Sequence, residues 1–243
     1  MHLPFDGKYA VITGAGSGIS KETARVFAER GAKGIVMADL NLANATQAAQ
    51  EIAAATGCNC LPFALDVAKP ETVEALFAFA VAQFGAVHVL VNGAGICTYL
   101  PVEEVDAQRW DRAMDINLRG SYLCAREALK YMKPQRQGKI VNIASVAARI
   151  GGVAAGVDYV ASKGGVVSMT YALAKACMPF GINVNGVAPG VIDTPLIAGC
   201  SYPEGTIIGQ PRDVANVIAF LASDDARHVQ GCTIDVNGGL YMH

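Results

Sequence analysis

Thr13-Gly14-Ala15-Gly16-Ser17-Gly18-Ile19 joins a short apolar run to a helical pattern. The apolar run is Tyr9-Ala10-Val11-Ile12-Thr13, and the helical pattern extends from Ser17 to Arg30, where Gly31 has the position of a C-terminal cap. Glycines in such a turn let the backbone bend sharply, and the free N–H groups at the start of a helix can bind an anion. A purely structural turn fits the same residues, so the motif needs support from its surroundings.

The rest of the chain alternates short apolar runs with longer helical patterns. The runs lack in-out alternation, which is typical of strands that are buried on both faces of a sheet. Strict β-α-β order gives a parallel sheet that is covered by helices on both sides. We therefore expect an α/β fold, a Rossmann-type doubly wound parallel sheet of about seven strands, in one domain over residues 1–243. The predicted strands are 9–13, 34–38, 60–65, 87–91, 139–143, 183–187 and 233–236, and the predicted helices are 17–30, 41–55, 70–84, 107–132, 158–178 and 211–222, with an irregular segment at 190–210.

Composition narrows the class of protein. The 243 residues are 52% hydrophobic and only 16% charged, with a formal net charge of −2. No basic block is present to hold a nucleic-acid backbone or an anionic membrane surface. No apolar run reaches the ~18 residues of a membrane span, and residues 1–8 do not resemble a secretory signal. We therefore expect a cytoplasmic protein without nucleic-acid or membrane partners, and the high apolar content favours an oligomer.

The potential metal ligands follow no recognised pattern. The seven cysteines are irregularly spaced, which favours free thiols in a reducing compartment. The histidines do not lie at metal-ligand spacing with carboxylates, so no metal is expected. The histidines are His2, His88, His228 and His243.

Asp39 follows the second predicted strand and lies 21 residues beyond Gly18. A carboxylate at this position can accept hydrogen bonds from the ribose hydroxyls of a dinucleotide and would repel a 2′-phosphate. No Arg or Lys follows it directly, so the sequence favours NAD over NADP as the cofactor. The alternative is that Asp39 caps the helix that begins near Asn41. The predicted cofactor-binding residues at this end are Gly14, Ser17, Gly18, Ile19, Asp39 and Leu40.

Two further strand ends carry candidate cofactor contacts. Asp66-Val67 follows the third strand, where the carboxylate can hold the adenine amino group or cap the helix opened by Pro70, and the residues alone do not decide between the two. Asn92-Gly93-Ala94-Gly95 follows the fourth strand, and its small residues let a ligand lie close to the backbone. Ligands bind beyond the carboxyl ends of parallel strands, so these loops are expected to meet at one site.

Tyr159 and Lys163 are four residues apart in a predicted helix and therefore lie on one face of it. A free tyrosine has a pKa of ~10, and a nearby ammonium stabilises the phenolate and lowers that pKa. Ser145 lies at the carboxyl end of the fifth strand, where its hydroxyl can donate to a substrate carbonyl oxygen. A Tyr-x-x-x-Lys spacing is common on protein surfaces, but its combination with Ser145 predicts a catalytic site for proton transfer.

Several motifs, each at the end of the expected strand, make the whole chain resemble the short-chain dehydrogenase/reductase family. The resemblance implies that Tyr159 exchanges a proton with the substrate oxygen, that Lys163 binds the nicotinamide ribose and lowers the Tyr159 pKa, and that Ser145 orients the substrate. It also implies that Asn117 is a catalytic residue that holds a water connecting Lys163 to solvent. The matching segments are 13–19, Asp66-Val67, Asn92-Gly93-Ala94-Gly95, Asn117, Ser145, Tyr159 to Lys163 and Asn185-Gly186-Val187-Ala188-Pro189-Gly190.

The same resemblance implies a nicotinamide end and an assembly. A homotetramer is expected, in which the helices at 107–132 and 158–178 pair across one interface and the C-terminal strand region forms another. The residues that would line the nicotinamide end are Pro189, Gly190, Val191, Ile192 and Thr194.

The chain departs from the family's pattern at four places. Ser20 replaces the usual last glycine of the fingerprint, and Gly93 stands where a second Asn is common. The segment 145–159 is one residue longer than usual, and we expect its glycines to absorb the extra residue. The segment 196–210 is shorter than the usual substrate lid, which predicts an open site or one completed by a neighbouring subunit.

The activity that the resemblance implies is hydride transfer between a secondary alcohol, or its ketone, and the nicotinamide of NAD. The candidate pocket walls are mostly apolar and contain no Arg, which favours a neutral, compact or cyclic alcohol over an acid. The candidate walls are Ile96, Thr98, Ala147, Val153, Ala154, Val157, Leu196, Ile197 and Tyr202.

Two alternative functions stay open. The segment 236–242 resembles the end of 3-oxoacyl-(acyl carrier protein) reductases, although those usually favour NADP and carry a basic residue where this chain has Ser17. A non-catalytic NAD-binding sensor on the same fold is an alternative of another class, since a fold does not define a function. The intact Tyr159 and Lys163 argue against the sensor.

Overall fold

The fold is a parallel sheet with helices on both faces. A computed structural model describes residues 3–198, 200 and 202–242. The strands are β1 (Tyr9–Thr13), β2 (Gly34–Asp39), β3 (Asn59–Ala64), β4 (Val89–Asn92), β5 (Gly138–Ile143), β6 (Ile182–Pro189) and β7 (Thr233–Val236). The helices are α1 (Gly18–Glu29), α2 (Leu42–Thr56), α3 (Pro70–Phe84), α4 (Ala107–Ala113), α5 (Gly120–Gln135), α6 (Ala147–Ile150), α7 (Val157–Cys177) and α8 (Pro211–Ala222). All strand pairs are parallel, in the order β3-β2-β1-β4-β5-β6-β7.

Neighbouring residues of a strand face different helical layers. In β1, Ile12 belongs to the core that includes α1, α2 and α8, whereas Val11 belongs to the core that includes α3, α5 and α7. Both side chains are buried. Successive side chains of a strand point to opposite faces, so a sheet covered on both sides needs apolar residues at every position. The predicted Rossmann-type doubly wound α/β fold is confirmed.

The strand order places a crevice at the centre of the sheet. From β1 the chain continues to β2 and β3 on one side, and β4 then pairs with the other side of β1, with Ala10 opposite Val89. The connections that leave β1 and β4 therefore diverge, and their first residues border an open space beyond the carboxyl ends of these strands. The loops after β1 and β4 both lie at this crevice.

The predicted single helix over 107–132 is wrong. The structure divides it into α4, a π-helical segment at Met114–Arg119 and α5. Pro134 was expected to stop the helix, but α5 continues to Gln135 and ends at Arg136, whose φ is +51°. Pro134 lies in the last turn, where its missing N–H removes only one hydrogen bond. π-helical turns inside α-helices occur often at functional sites, and this one contains Asn117.

Other boundaries differ from the predictions by small amounts. β4 begins at Val89 rather than at residue 87, and β6 extends to Pro189, which pairs with Val236 of β7. The helix predicted to end at residue 178 ends at Cys177, followed by a 3-10 turn. The short helix α6 was not predicted. Within the described ranges, none of the helices has the length and apolar character needed to cross a lipid bilayer.

Candidate active site

A cavity of about 460 Å³ opens beyond the carboxyl ends of the central strands. Its walls come from the ends of β1, β2, β4, β5 and β6 and from the first turns of α1 and α7. Of the predicted site residues, the cavity is lined by Gly14, Ser17, Gly18, Ile19, Asp39, Gly93, Ser145, Tyr159, Lys163, Pro189, Gly190, Val191, Ile192 and Thr194. Predicted site residues that do not line it are Leu40, Asp66, Val67, Asn92, Ala94 and Asn117.

The turn after β1 is built around close backbone approaches. Gly14 has a φ of +67°, and a Cβ at this position would lie 2.9 Å from the backbone of Ala94. A Cβ at Gly16 would lie 2.9 Å from Oδ2 of Asp39. Larger residues would therefore clash, and glycine is required at both positions for steric reasons.

The N-terminus of α1 faces the same cavity. Ser17 is the N-cap residue, but its hydroxyl makes no capping hydrogen bond, and Gly18 and Ile19 form the first turn. The first N–H groups of a helix lack intrahelical partners, and the helix dipole adds a partial positive charge there. This part of the cavity can bind an anionic group such as a pyrophosphate.

Asp39 connects the ends of β1 and β2. Its Oδ2 accepts a hydrogen bond of 2.9 Å from the N–H of Gly16, and its Oδ1 accepts one of 2.9 Å from the N–H of Asn41. The cap of α2 is Asn41, whose side chain accepts the N–H of Asn44 at 3.2 Å. Asp39 is therefore not the helix cap and borders the cavity instead. Leu40 is 70% exposed beside it.

Asp66 and Val67 make contacts within the protein and do not line the cavity. Oδ1 of Asp66 accepts the N–H of Ala68 at 3.1 Å, and the Asp66 carbonyl accepts the Thr72 hydroxyl at 2.6 Å. Asp66 thus stabilises the turn before α3, whose N-cap residue is Lys69. Val67 is buried against Gly120.

The loop after β4 is held by several elements. The Thr13 hydroxyl oxygen accepts the N–H groups of Gly93 and Ala94 at 3.1 and 3.2 Å. The Asn117 side chain pairs with both polar groups of the Ile96 backbone, accepting its N–H at 2.8 Å and donating to its carbonyl at 2.9 Å. It also donates to the Ser162 hydroxyl at 2.9 Å. Asn117 therefore acts as an anchor of this loop.

Asn92 connects two strands from inside the core. It is 2% exposed, and its side-chain amide donates to Oδ1 of Asn142 at 2.9 Å and to the carbonyl of Ser121 at 3.2 Å. These contacts join the ends of β4 and β5 to α5, so Asn92 supports the site from behind.

Thr98 attaches the same loop to the start of α7. Its carbonyl accepts the N–H of Gly156 at 2.7 Å, and its hydroxyl donates to the carboxylate of Asp158. Asp158 is fully buried, and its second carboxylate oxygen has no hydrogen-bond partner among the described residues. The buried carboxylate of Asp158, the residue before Tyr159, therefore accepts a hydrogen bond from the Thr98 hydroxyl.

Ser145, Tyr159 and Lys163 converge at the opposite end of the cavity from Asp39. All three side chains are at most 8% exposed. Burial raises the pKa of the Tyr159 phenol, and a hydrogen bond with Ser145 opposes that shift. Burial lowers the pKa of Lys163 to about 8. Lys163 donates to the carbonyl of Ile143 at 2.7 Å, and the predicted lowering of the Tyr159 pKa by Lys163 is not seen in this geometry, where burial raises that pKa.

The longer segment between Ser145 and Tyr159 keeps the two hydroxyls together. It contains α6, and Gly151 and Gly152 turn the chain with φ values of +78° and +87°. Gly156 was also expected to absorb the extra residue, but it has an ordinary φ of −70° as the N-cap of α7.

The end of the cavity beside Ser145 and Tyr159 has mostly apolar walls, with a different set of loop residues than expected. Ile96, Thr98 and Val157 were predicted to line it, but Cys97 and Tyr99 do so instead. The Ile96 backbone is bound to Asn117 and the Thr98 hydroxyl to Asp158, and none of these four residues lines the cavity. The walls are completed by Ala147, Val153, Ala154, Ala155, Leu196, Ile197 and Tyr202.

The segment after β6 reaches over this end. The Tyr99 hydroxyl donates to the carbonyl of Leu196 at 2.7 Å and so connects the two loops. Burial raises the pKa of the Cys97 thiol to about 11 and also raises the pKa of both tyrosine phenols, Tyr99 and Tyr202. These groups stay neutral at physiological pH.

No cluster of three His, Cys, Asp or Glu side chains suited to a metal ion occurs among the residues the structure describes. His88 accepts the N–H of Tyr9 at 3.1 Å, and His228 is exposed. His2 and His243 lie outside the described residues.

Comparisons with known proteins agree with this geometry. A family model described as enoyl-(acyl carrier protein) reductase matches residues 14–241. The chain is 36% identical to a 3-oxoacyl-[acyl-carrier-protein] reductase of Vibrio cholerae, over 99% of this chain and 100% of the relative. It is 40% identical to a cyclohexanol dehydrogenase of an Acinetobacter strain, over 98% of this chain and 96% of the relative. A crystal structure of a short-chain type dehydrogenase/reductase from Mycobacterium marinum superposes with a TM-score of 0.94 at 30% identity, covering 100% of this chain and 98% of the other.

Proposed function

The chain belongs to the short-chain dehydrogenase/reductase family of nicotinamide-dependent oxidoreductases, and from this premise we propose that it is an NAD-dependent enzyme that interconverts a secondary alcohol and its ketone. One observation carries the proposal. Ser145, Tyr159 and Lys163 meet at one end of a cavity whose other end holds Asp39 and the start of α1. The nicotinamide can therefore exchange a hydride with the substrate carbon while Tyr159 exchanges a proton with the oxygen bonded to it.

The cavity fits a dinucleotide. Glycines after β1 let the main chain approach Ala94 and Asp39, where a Cβ would clash, and so hold the start of α1 at the cavity. The N-terminus of α1 would hold the pyrophosphate, and Asp39 would bind the adenosine ribose. The nicotinamide ring would be placed by Pro189, Gly190, Ile192 and Thr194. When bound, the cofactor supplies the hydride acceptor or donor.

The protein's own groups handle the substrate oxygen. The Ser145 hydroxyl orients and polarises it, and Tyr159 gives it a proton during ketone reduction or receives one during alcohol oxidation. Lys163 supplies positive charge behind the phenol, which stabilises the phenolate that forms when the proton leaves. Asn117 acts indirectly, by holding the loop after β4 through the Ile96 backbone.

NAD is proposed over NADP because of Asp39. Its carboxylate lies at the end of β2 with Oδ2 on the Gly16 N–H, where a ribose 2′-phosphate would meet a negative charge. Leu40 follows it, and neither residue offers a cation to a phosphate. The 3-oxoacyl-(acyl carrier protein) reductases that this chain resembles usually favour NADP instead.

The substrate is proposed to be a neutral, compact or cyclic alcohol. Around Ser145 and Tyr159 the walls contain apolar side chains, two further phenols and a thiol, and these phenols and the thiol are neutral at physiological pH. Among the described residues, the only basic side chain in the cavity lining is Lys163, whose ammonium lies by the Tyr159 ring and donates to the Ile143 carbonyl. An unpaired carboxylate placed there would lose its hydration without gaining a counter-ion. The similarity to a cyclohexanol dehydrogenase supports the same substrate class.

A 3-oxoacyl-(acyl carrier protein) reductase is the second candidate, supported by the similarity to the Vibrio cholerae enzyme. Asp39 and the absence of a basic residue at Ser17 oppose it. A non-catalytic sensor would not need a serine, a tyrosine and a lysine buried together, so it is the weakest reading.

We also propose that residues 1–243 form one domain of a cytoplasmic homotetramer. Tyr122 on α5 and Tyr171 on α7 are 45% and 50% exposed, and Leu240 and Met242 lie exposed after β7. These apolar side chains would be covered by partner subunits. Light scattering on the purified protein tests the assembly, and a monomer would contradict it.

The experiment is a substrate panel. NADH or NADPH formation is followed with cyclohexanol, a linear secondary alcohol, a carboxylated cyclic alcohol and a 3-hydroxyacyl thioester. We expect the fastest turnover with the neutral cyclic alcohol and NAD. Turnover of the thioester with NADP alone would support the second candidate, and binding of NADH without any turnover would support the sensor.

A further inference from the structure

Two departures from the family's pattern meet in space. Ser20 lies in the first turn of α1 and is 3% exposed, and Gly93 follows β4. Both border the cofactor cavity. A Cβ built on Gly93 would overlap the hydroxyl oxygen of Ser20, far inside van der Waals contact. Ser20 therefore occupies the space that any side chain at position 93 would need.

The backbone at Gly93 is held in place, so it cannot easily move away from Ser20. The N–H of Gly93 donates to the Thr13 hydroxyl at 3.1 Å, and the hydroxyl in turn donates to the carbonyl of Val91 at 3.4 Å. The same Cβ would lie 3.0 Å from the Thr13 carbonyl oxygen and 3.0 Å from Cδ1 of Ile143. The isoleucine methyl can shift, whereas the backbone carbonyl of β1 cannot.

We infer that Ser20 and Gly93 form one positioning unit for the dinucleotide, in which the Ser20 hydroxyl fills the volume left by the missing side chain at position 93. This inference rests on the proposed function, because it assigns the pair to the cofactor site. Ser20 belongs to the helical turn that would hold the pyrophosphate, and Gly93 to the loop against which the cofactor would lie. A collision between them displaces α1 from β4 and moves the anion-binding N–H groups.

Ser20 and Gly93 are sterically matched to each other. Ser20 in place of a small glycine would crowd a chain that carried a side chain at position 93. Gly93 without Ser20 would leave an unfilled space in the pocket wall, and close packing disfavours such voids. Each residue is compatible with the site because of the other.

A double-mutant cycle tests the pair. The dissociation constant of NADH is measured by calorimetry for the wild type, Ser20→Ala, Gly93→Ala and Ser20→Ala/Gly93→Ala. We expect Ser20→Ala to change it by less than about threefold and Gly93→Ala to weaken binding at least about tenfold, equivalent to roughly 1.4 kcal/mol. The double variant should bind NADH at least about threefold more tightly than Gly93→Ala, because the overlap with the hydroxyl is gone, while the remaining 3.0 Å contact with the Thr13 carbonyl keeps its binding weaker than that of the wild type.

Two controls separate an effect on cofactor positioning from a general loss of protein structure. Gly164→Ala adds a methyl that would meet nothing within 4 Å, so it should leave NADH binding unchanged. The KM for NAD should follow the dissociation constants, while kcat at saturating NAD stays within about threefold in all four proteins.

Two results would overturn the inference: wild-type affinity in Gly93→Ala, or a double variant that binds no more tightly than Gly93→Ala. Failure of the wild type to bind either NADH or NADPH would instead contradict the proposed function. In that case, the thermal unfolding midpoints of the same four proteins still test the contact, because the pair should be non-additive there as well.

Discussion

The Nζ atom of Lys163 lies 5.7 Å from the centre of the Tyr159 ring and donates a hydrogen bond of 2.7 Å to the carbonyl oxygen of Ile143. Both side chains are buried on one face of α7. No carboxylate forms an ion pair with this ammonium among the described residues. The protein thus holds an uncompensated positive charge beside the phenol, which is an arrangement that opposes stability.

Replacement of Lys163 by methionine should therefore change how stability depends on pH. Burial lowers the folded-state pKa of Lys163 to about 8 from the usual 10.5. Between these values the unfolded chain binds a proton that the folded chain has released, so the free energy of unfolding of the wild type rises with pH. Lys163→Met lacks this term, so the wild type should gain roughly 3 kcal/mol relative to the variant between pH 7 and pH 10.5.

Urea unfolding at several pH values measures this difference. Lys175→Met, on the exposed side of the same helix, is the matched control and should track the wild type at each pH. A constant difference between wild type and Lys163→Met across the pH range would show that Lys163 is not perturbed by burial.

Asp39 should determine the choice between the two nicotinamide dinucleotides. Asp39→Ala/Leu40→Arg removes the negative charge at the ribose position and adds a cation for a 2′-phosphate. The ratio of kcat/KM for NAD to that for NADP should fall by about 100-fold or more. Leu42→Arg places the same charge two residues further on an exposed position of α2 and should leave the ratio within about threefold. An unchanged ratio in the double variant would remove Asp39 from the cofactor site.

The Thr98–Asp158 hydrogen bond should hold in place the loop that forms part of the proposed substrate pocket. Thr98→Val leaves the buried Asp158 carboxylate without its side-chain donor, which should lower the free energy of unfolding by about 2 kcal/mol. The loop that carries Cys97 and Tyr99 would loosen, so the KM for the alcohol should rise at least about fivefold while NADH binding stays the same. Thr98→Ser keeps the hydroxyl and should behave like the wild type. Equal behaviour of the valine and serine variants would show that the hydrogen bond has no such role.

The order of strand-end motifs was sufficient to predict the sheet and which end of it carries the cavity. Each of the turns after β1, β4 and β6 contains residues whose chemistry is readable without tertiary structure. Gly14, for example, has the positive φ that a sharp strand-to-helix turn requires.

Tertiary contacts determined what the sequence could not show. Asn117 was expected inside a regular helix, but its pairing with the backbone of Ile96 accompanies a π-helical turn. Cys97 and Tyr99 line the cavity, whereas the Ile96 backbone is bound to Asn117 and the Thr98 hydroxyl to Asp158. These anchors lie 21 and 60 residues away in sequence, beyond the reach of any local pattern.

The role of Asp66 shows a limit of another kind. A carboxylate at the end of a strand fitted both an adenine contact and a helix cap, and the structure shows it binding the turn before α3 without lining the cavity. Its contribution to cofactor binding stays a prediction.

The most direct test of the central claim is the rate of NADH formation by Tyr159→Phe with the best alcohol of the panel. The substitution removes only the hydroxyl that would exchange the proton. We predict that kcat falls by about 10³-fold, within the usual range for loss of a general acid or base, while the dissociation constant of NADH stays within about threefold. A variant that keeps more than about a tenth of the wild-type kcat would contradict the assignment of Tyr159 as the acid/base.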